Sequence, residues 1–175
     1  MTGVQTCALP ISWAPFSFRD AQGKFSGIDA DVLALLGRRL GVQFEAATRD
    51  DWPAVYAGAQ AGEYDALVSV ARTPEREAEF FFTQPYLTFP LVIITRAREP
   101  ILWTLEDLRE LRVTSPRGYA TTLMVRRMLP GLDIAETSTV EEALRLVSAG
   151  EADATLTNLP NVSFVVKTRS EEHTS

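Results

Sequence analysis

Residues 61–76 read Ala61-Gly-Glu-Tyr-Asp-Ala-Leu-Val-Ser-Val-Ala-Arg-Thr-Pro-Glu-Arg76 and carry the most informative pattern of the 175-residue chain. Gly62 suits the left-handed residue that ends a helix, and the Asp-Ala-apolar step after it is typical of entry into a buried strand. Arg76 then places a fixed cation shortly beyond that strand. The order of helix, turn, strand and cation favours an anion site at the edge of a parallel sheet.

The octet 61–68 is nearly repeated at 149–156, which reads Ala-Gly-Glu-Ala-Asp-Ala-Thr-Leu. An amphipathic stretch precedes each copy, and Ser138 with Glu141 has the spacing of a capping box at the start of the second stretch. We therefore expect one helix–turn–strand unit to be used twice, once in each of two similar lobes. Chance recurrence of a common turn is the alternative.

The rest of the chain alternates between helical and extended patterns. A helix is predicted from Asp29, as its N-cap, to Leu40, with an apolar side made of Ile28, Val32, Leu35, Leu36 and Leu40. An apolar extended run over 87–95 is the predicted crossing between the two halves. The alternation predicts an α/β fold with parallel sheets flanked by helices.

The two ends of the chain can be encoded by one DNA sequence read on opposite strands. Codons for residues 6–11 can be chosen so that their reverse complement encodes residues 169–174, as a sequencing adapter retained in an assembly would do. We therefore expect 1–11 and 169–175 to be artefactual tails outside the fold, and the natural protein to continue in both directions.

These tails contain Cys7 and His173, the only cysteine and the only histidine of the chain. No disulfide, no Cys or His metal site and no Cys–His or Ser–His catalytic pair is therefore predicted for residues 12–168. Without the tails, Lys plus Arg falls from 17 to 16 and Asp plus Glu from 23 to 21, a net charge of −5. That balance argues against nucleic acid and anionic membrane surfaces as partners, and no apolar run reaches the ~18 residues of a membrane span.

Eight short motifs, in this order, resemble the family 3 extracytoplasmic solute-binding proteins, which have the type II periplasmic binding protein-like (Venus flytrap) fold. They are Trp13-Ala-Pro-Phe16, Gly27-Ile-Asp-Ala-Asp31, Gly62-Glu-Tyr-Asp65, Thr73-Pro-Glu-Arg76, Gln84-Pro-Tyr86, Leu105-Glu-Asp-Leu108, Arg117-Gly-Tyr119 and Gly150-Glu-Ala-Asp153. The resemblance implies a two-lobed fold with an incomplete lobe 1 over 12–90 and lobe 2 over 91–168. It also implies that a strand before Trp13 is missing, which would leave an unpaired strand edge in lobe 1.

The resemblance further implies that a small ligand lies between the lobes and that Arg76 holds its carboxylate. A guanidinium can do so through two parallel bonds; the alternative is a surface arginine paired with Glu75 or Glu79. Ser69 and the backbone N–H near Ala71 would bind the same carboxylate. Many relatives have Ser or Thr where this chain has Ala71, so one hydroxyl donor is lost here.

Trp13 matches the aromatic residue that lies against the ligand in the family, and packing in the core is its alternative. In lobe 2, the turn of Arg117, Gly118 and Tyr119 opens a helix whose N–H groups attract anions; an exposed turn is the alternative. Asn158 matches a position where amino-acid binders often carry an acid for the α-ammonium. Because Asn is neutral, a carboxylate without an amine, or a polar amide-like solute, is favoured over an ordinary α-amino acid.

These features predict a periplasmic or extracytoplasmic solute-binding module without a cofactor. Its partners would be a small carboxylate or amino-acid-like ligand and either an ABC transporter in the membrane or a fused sensor kinase or cyclase. The alternative is an enzyme on the same scaffold, dehydratase-like or associated with peptidoglycan lyases, with Asp51 as a possible general acid. Trp52, near a helix start, is expected to be core or surface cover. A cytosolic effector domain of a transcription regulator is a third possibility, and it would need an upstream helix-turn-helix that this chain does not show.

Overall fold

The computed structural model describes residues 4–10, 12–49, 51–97 and 102–172, so His173 lies outside the described residues. The chain divides into two compact units, Met1–Thr83 and Gln84–Ser175. Each unit contains a sheet with parallel strands and flanking helices, which confirms the predicted α/β class. The predicted lobe limits and the adapter origin of the two tails stay predictions. Within the described residues, no helix combines the length and apolar character required to cross a bilayer.

The first unit has a three-stranded parallel sheet in the order β5-β1-β6 and a small antiparallel sheet in the order β2-β3-β4. Its strands are β1 Val4–Pro10, β2 Ser12–Trp13, β3 Ser17–Arg19, β4 Phe25–Ser26, β5 Gln43–Arg49 and β6 Ala66–Leu67. Its helices are α1 Ile28–Leu40, α2 Trp52–Gln60 and the short α3 Pro74–Glu77.

Strand β1 occupies the middle of the first sheet, although residues 1–11 were predicted to be an artefactual tail. It pairs with β5 along its whole length and with β6 on its other side. The Cys7 side chain is fully buried beside Leu33 and Val68, and burial, with a smaller effect of Asp65, raises the pKa of its thiol to about 11. The exclusion of Val4–Pro10 from the fold and the expected absence of a strand before Trp13 are therefore wrong, because this segment supplies both ladder pairing and core packing.

The predicted apolar side of α1 is wrong for its three leucines, whereas Ile28 and Val32 are half-buried. Leu35, Leu36 and Leu40 are exposed, and Leu33 is the buried leucine of the helix. The physical reason is Asp29, which is fully buried at the start of the helix. Residues four apart share one helix face, so the burial of Asp29 turns Leu33 inward and the other leucines outward.

The second unit has a four-stranded sheet in the order β7-β10-β8-β9, in which β7 alone is antiparallel to its neighbour. The predicted extended run 87–95 contributes strand β7. The elements are β7 Leu91–Thr95, a 3₁₀ helix Leu105–Glu110, β8 Val113–Pro116, α4 Ala120–Met128, β9 Ile134–Thr137, α5 Val140–Ala149, β10 Ala154–Asn158 and α6 Leu159–Glu172. Its core is a cluster of buried aliphatic side chains: Leu108, Val113, Val125, Leu129, Ile134, Ala154 and Leu156.

Helix α5 begins one residue later than predicted. Thr139 is its N-cap and accepts a hydrogen bond from the Glu142 N–H at 3.1 Å. Glu142 in turn accepts from the Ser138 N–H at 2.8 Å. Adjacent Ser and Thr, followed by adjacent Glu residues, offer two registers for the same capping chemistry, and the structure uses the second.

Candidate functional site

The candidate site of the first unit is the loop 68–73, which follows β6 and ends where α3 begins. Ser69 has a φ of 54°, a left-handed conformation that few residues other than glycine adopt. Thr73 caps α3 by accepting a hydrogen bond from the Arg76 N–H at 3.4 Å. The Arg76 side chain reaches back, and its Nη1 donates to the Ala71 carbonyl at 2.9 Å. The loop is therefore closed by the cation that the sequence singled out.

The Arg76 guanidinium is buried, with 4% of the residue exposed, so its interpretation as a surface arginine is wrong. Its central carbon lies 4.8 Å from the centroid of the Trp52 ring and 5.9 Å from that of Tyr56. These two aromatic residues are four apart on α2 and share one face of the helix. Burial lowers the pKa of Arg76 from its ordinary value, while Tyr56 and Glu75 act in the opposite direction. Arginine nevertheless stays charged at neutral pH, and the ring faces offset part of its desolvation.

Glu79 holds one of these rings in place. The Tyr56 hydroxyl donates to Glu79 Oε2 at 2.9 Å, and Gln60 Nε2 donates to the same oxygen at 2.7 Å. Burial, followed by the bond to Glu79, raises the pKa of Tyr56. Tyr56 also packs edge-on against Phe80, with ring centroids 5.5 Å apart. The aromatic support of Arg76 is thus fixed from both α2 and the segment after α3. Trp52 is buried, as its core interpretation expected, but its contact with Arg76 was not predicted.

Asp29 ties this loop to two other segments. Its carboxylate accepts hydrogen bonds from the Ser17 and Ser69 hydroxyls, and its N–H donates to the Phe16 carbonyl at 3.0 Å. Gly27 is the N-cap residue of α1, at a φ of 112°, and a Cβ there would clash with that same Phe16 oxygen. The sequence pattern predicts Asp29 as the N-cap of this helix, whereas Gly27 takes that position, and the contact of Asp29 with Ser69 was not predicted.

Trp13 lies in the first unit and stacks on Phe16, with ring centroids 4.4 Å apart and planes tilted by 30°. Its Nε1 is buried and has no hydrogen-bond acceptor among the described residues. Stacking on Phe16 agrees with a place for Trp13 in the core. A buried indole N–H usually has a hydrogen-bond acceptor, however, and the Trp13 N–H has none among the described residues. A contact between Trp13 and a ligand stays a prediction.

In the second unit, the predicted anion-binding turn carries an ion pair of its own. Arg117 Nε donates to Glu136 Oε2 at 2.7 Å, and Arg126 Nη1 donates to the other oxygen at 2.8 Å. These two arginines lower the pKa of the Glu136 carboxyl. Gly118 is left-handed, with a φ of 70°, and Tyr119 is the N-cap residue of α4. The contribution of the turn to ligand binding stays a prediction.

Asn158 is buried at the end of β10, and its Oδ1 accepts a hydrogen bond from the Asn161 N–H at 2.9 Å. The amide oxygen therefore stabilises the first turn of α6, and the position offers no negative charge. Asp51, the possible general acid of the enzyme alternative, caps α2 by accepting from the Ala54 N–H at 2.8 Å. Among the described residues, no group of three or more Cys, His, Asp or Glu side chains is placed to hold a metal ion.

Comparison with known proteins gives a consistent result. The model of the bacterial extracellular solute-binding proteins, family 3, matches residues 6–171. A probable amino-acid ABC transporter-binding protein of Haemophilus influenzae is 29% identical over 146 residues, which cover 83% of this chain and 56% of that protein. The virulence sensor protein BvgS of Bordetella pertussis is 29% identical over 154 residues, which cover 88% of this chain and 12% of BvgS.

A solved structure shows the same likeness in three dimensions. The crystal structure of the ancestral amino acid-binding protein AncCDT-1, a precursor of cyclohexadienyl dehydratase, superposes with a TM-score of 0.82 at 27% identity. The match covers 95% of this chain and 75% of that one. The chain therefore corresponds to most of one solute-binding domain, but it spans little more than half of the Haemophilus influenzae protein and a small part of BvgS.

Proposed function

Because the chain belongs to family 3 of the bacterial extracellular solute-binding proteins, we propose that its first unit binds the carboxylate of a small, amino-acid-like solute through Arg76. The resemblance found in the eight sequence motifs is confirmed by this membership. The proposal is carried by the burial of the Arg76 guanidinium against Trp52 and Tyr56, beside the loop 68–73. A buried guanidinium gains more from a charged partner than an exposed one, because water screens the attraction less.

The loop supplies the other proposed contacts in this unit. Ser69 and the backbone N–H near Ala71 lie in the segment that Arg76 closes, so they share its neighbourhood through the bond to the Ala71 carbonyl. Trp13 stays a candidate for apolar contact with the ligand. Arg117, Gly118, Tyr119 and Asn158 stay the candidate contacts of the second unit.

We propose that the full-length protein works outside the cytoplasm, either as the receptor of an ABC transporter or as the input domain of a membrane sensor. The similarity to the Haemophilus influenzae protein supports the first role and the similarity to BvgS supports the second. The uninterrupted reading frame in the source genome distinguishes them. A membrane helix followed by a kinase or cyclase domain would identify a sensor, and a chain that ends shortly after this domain would identify a transport receptor.

Asp51, the candidate general acid, favours binding without catalysis, because its carboxylate is engaged as a helix cap. A dehydratase-like enzyme is the second candidate, because AncCDT-1 is an amino acid-binding protein that is a precursor of cyclohexadienyl dehydratase. Dehydration of a cyclohexadienyl substrate by this protein, lost in the Asp51→Asn variant, would support the enzyme. Binding of amino-acid-like solutes without turnover would exclude it.

The test of the carboxylate site compares Arg76 with an exposed arginine outside the loop 68–73. Arg76→Ala should weaken binding of L-glutamine or L-arginine, measured by isothermal titration calorimetry, by about 100-fold, because a buried charged partner is removed. Arg39→Ala is the control, since Arg39 is exposed on α1 and lies outside the loop 68–73. Equal affinity in the two variants would contradict the proposal.

A second variant separates binding from folding. Arg76→Lys keeps the positive charge but loses the planar fork, so we expect about a tenfold loss of affinity with near-native unfolding temperature. If Arg76→Ala unfolds the unit, the affinity of Arg76→Lys still decides: affinity unchanged from the unaltered protein would overturn the role of the guanidinium.

A further inference from the structure

We propose that Asp29, acting through Ser69, provides the first unit with an acceptor for an ammonium group next to the ligand carboxylate. The inference deepens the proposed function and rests on it. It assigns Ser69 a different task from the one expected from the sequence, which was to donate its hydroxyl to the carboxylate. It also names the ligand class: an α-amino acid rather than a carboxylate without an amine.

The Ser69 hydroxyl group has a single proton to donate. Ser69 Oγ donates to Asp29 Oδ1, and Ser17 Oγ donates to Asp29 Oδ2. A serine hydroxyl has one O–H donor and two acceptor lone pairs. Once its proton is directed at Asp29, Ser69 Oγ offers only lone pairs to a ligand, and lone pairs accept N–H groups but repel a carboxylate.

Hydrogen bonds and the helix dipole oppose the effect of burial, which by itself disfavours the ionised form of Asp29. Both of its oxygens accept from hydroxyl groups, the arrangement expected of a carboxylate that can only accept. It lies in the first turn of α1, where the positive end of the helix dipole stabilises a negative charge. The side chain is fully buried, so its charge is screened little by water and polarises the Ser69 hydroxyl toward it.

In this relay, Asp29 accepts the Ser69 hydroxyl proton and Ser69 faces the ligand ammonium. The backbone conformation of Ser69 holds the residue in that position. Its left-handed conformation, at a φ of 54°, is one that a serine adopts only at a cost. The bond to Asp29 links the strained residue to a helix start that Gly27 sets against the Phe16 carbonyl. Strain of this kind persists where the surrounding structure over-determines it, and it is concentrated at binding sites.

The relay also changes the conclusion drawn from Asn158. That residue is neutral and its amide oxygen caps α6, which argued against an ammonium-bearing ligand. Asp29 supplies a negative charge from the first unit instead, one hydroxyl removed from the ligand. We therefore expect the negative charge that balances the ligand ammonium to come from Asp29 through Ser69, and not from position 158.

The test uses two ligand pairs that differ only in the α-ammonium: L-glutamine with 4-carbamoylbutanoate, and L-arginine with 5-guanidinopentanoate. Ser69→Ala should lower the affinity for at least one amino acid about tenfold more than the affinity for its desamino partner, as measured by calorimetry. Asp29→Asn should shift the same ratio in the same direction, because the amide carries no charge and donates to one of the two hydroxyls. A role limited to structure would lower the unfolding temperature and leave the ratio unchanged.

Ser17→Ala is the matched control. It removes the other hydroxyl bonded to Asp29, and Ser17 is fully buried, so the ligand ratio should stay as in the unaltered protein. An unchanged ratio in Ser69→Ala overturns this inference, and if Arg76→Ala still abolishes binding, the proposed carboxylate site stands. Equal loss for both members of each pair would show that Ser69 donates to the carboxylate. If the unaltered protein binds none of the four compounds, the inference falls together with the proposed function.

Discussion

The two copies of the helix–turn–strand unit share one backbone arrangement, although they lie in different compact units. In the first, the Asp65 N–H donates to the Thr6 carbonyl at 2.9 Å, and the Asp65 carboxylate accepts from the Thr6 N–H at 2.7 Å. In the second, the Asp153 N–H donates to the Arg112 carbonyl at 2.9 Å, and its carboxylate accepts from the Arg112 N–H at 3.0 Å. Each aspartate thus joins its strand to the start of the neighbouring strand by the same pair of bonds.

The helix ends match as well. Gly62 and Gly150 are left-handed, with φ angles of 74° and 75°. The residue after each glycine, Glu63 or Glu151, donates its N–H to the carbonyl five residues earlier at 2.9 Å. This is the six-to-one bond of a Schellman motif, and it explains why the octet needs glycine at its second position.

The difference between the copies lies outside the octet. Asp153 is held by Arg112 in a bidentate pair, at 2.7 and 2.9 Å, and by Arg96 at 3.0 Å. Arg96 also donates to the Val147 and Ala152 carbonyls at the end of α5. For Asp65, no ion pair is found within the part of the chain that the structure describes. The two similar octets therefore form the same turn, but the second turn is also held by ion pairs from Arg96 and Arg112, which lie outside the octet.

The largest expected effect tests whether Asp153 stabilises the fold more than Asp65 does. Asp153→Ala should reduce the free energy of unfolding, measured with urea, by about 2 kcal/mol, because it leaves two guanidinium groups and a backbone N–H without their acceptor. Asp65→Ala should reduce it by about 1 kcal/mol, since it removes one backbone hydrogen bond. Equal losses, or a larger loss for Asp65→Ala, would contradict the comparison.

A smaller effect tests whether the turns at Gly62 and Gly150 are equivalent. Gly62→Ala and Gly150→Ala should each reduce the unfolding free energy by about 1 kcal/mol, because alanine is strained at these positive φ angles. A Cβ at Gly62 meets no atom within 4 Å, and one at Gly150 meets only Arg96 at 3.9 Å, so strain is the main cause in both. Asparagine tolerates this conformation, and Gly62→Asn and Gly150→Asn should recover part of the loss. Clearly different losses at the two positions would show that the turns are not equivalent.

The smallest expected effect appears in acid. Hydrogen bonds from Arg112, followed by the one from Arg96, hold the pKa of Asp153 well below its unfolded value of 3.8. A lowered pKa contributes stability that is complete above the unfolded value and is lost as the pH falls toward the folded one. From about pH 5 to about pH 3, the unaltered protein should lose more unfolding free energy than Asp153→Asn does. Arg112→Gln should flatten this dependence too, and a slope unaffected by either variant would refute the assignment.

Much of the fold follows from local pattern. The repeated octet predicted the two turns because a glycine that ends a helix and an aspartate that enters a strand act through bonds to nearby backbone groups. Most of the other helices and strands were predicted from apolar periodicity and turn residues, whereas β1 and α6 were not. Arg76 was predicted as a site residue because a fixed cation after a strand is a local signal, whereas its contacts with Trp52 and Tyr56 were not predicted.

Other features depended on contacts between distant segments. Val4–Pro10 forms the central strand of the first sheet through pairing with residues about 40 and 60 positions later, which no local pattern shows. Asp29 resembled a helix cap in the sequence, yet Ser17 and Ser69 meet its carboxylate from two other segments. Arg117 resembled an anion-binding residue, and Glu136 already accepts its hydrogen bond.

The sequence by itself determined the α/β class and the paired turns, because glycine conformations, capping spacings and apolar periodicity act within a few residues. Its eight motifs indicated the family by resemblance. Only the tertiary structure decided which charged groups are buried and what they contact. Asp29, Arg76 and Asp153 are each surrounded by groups from separate segments, and their protonation and hydrogen bonding depend on that surrounding. Burial is a property of the packed chain, so the chemistry of the candidate site became visible only when the segments were brought together.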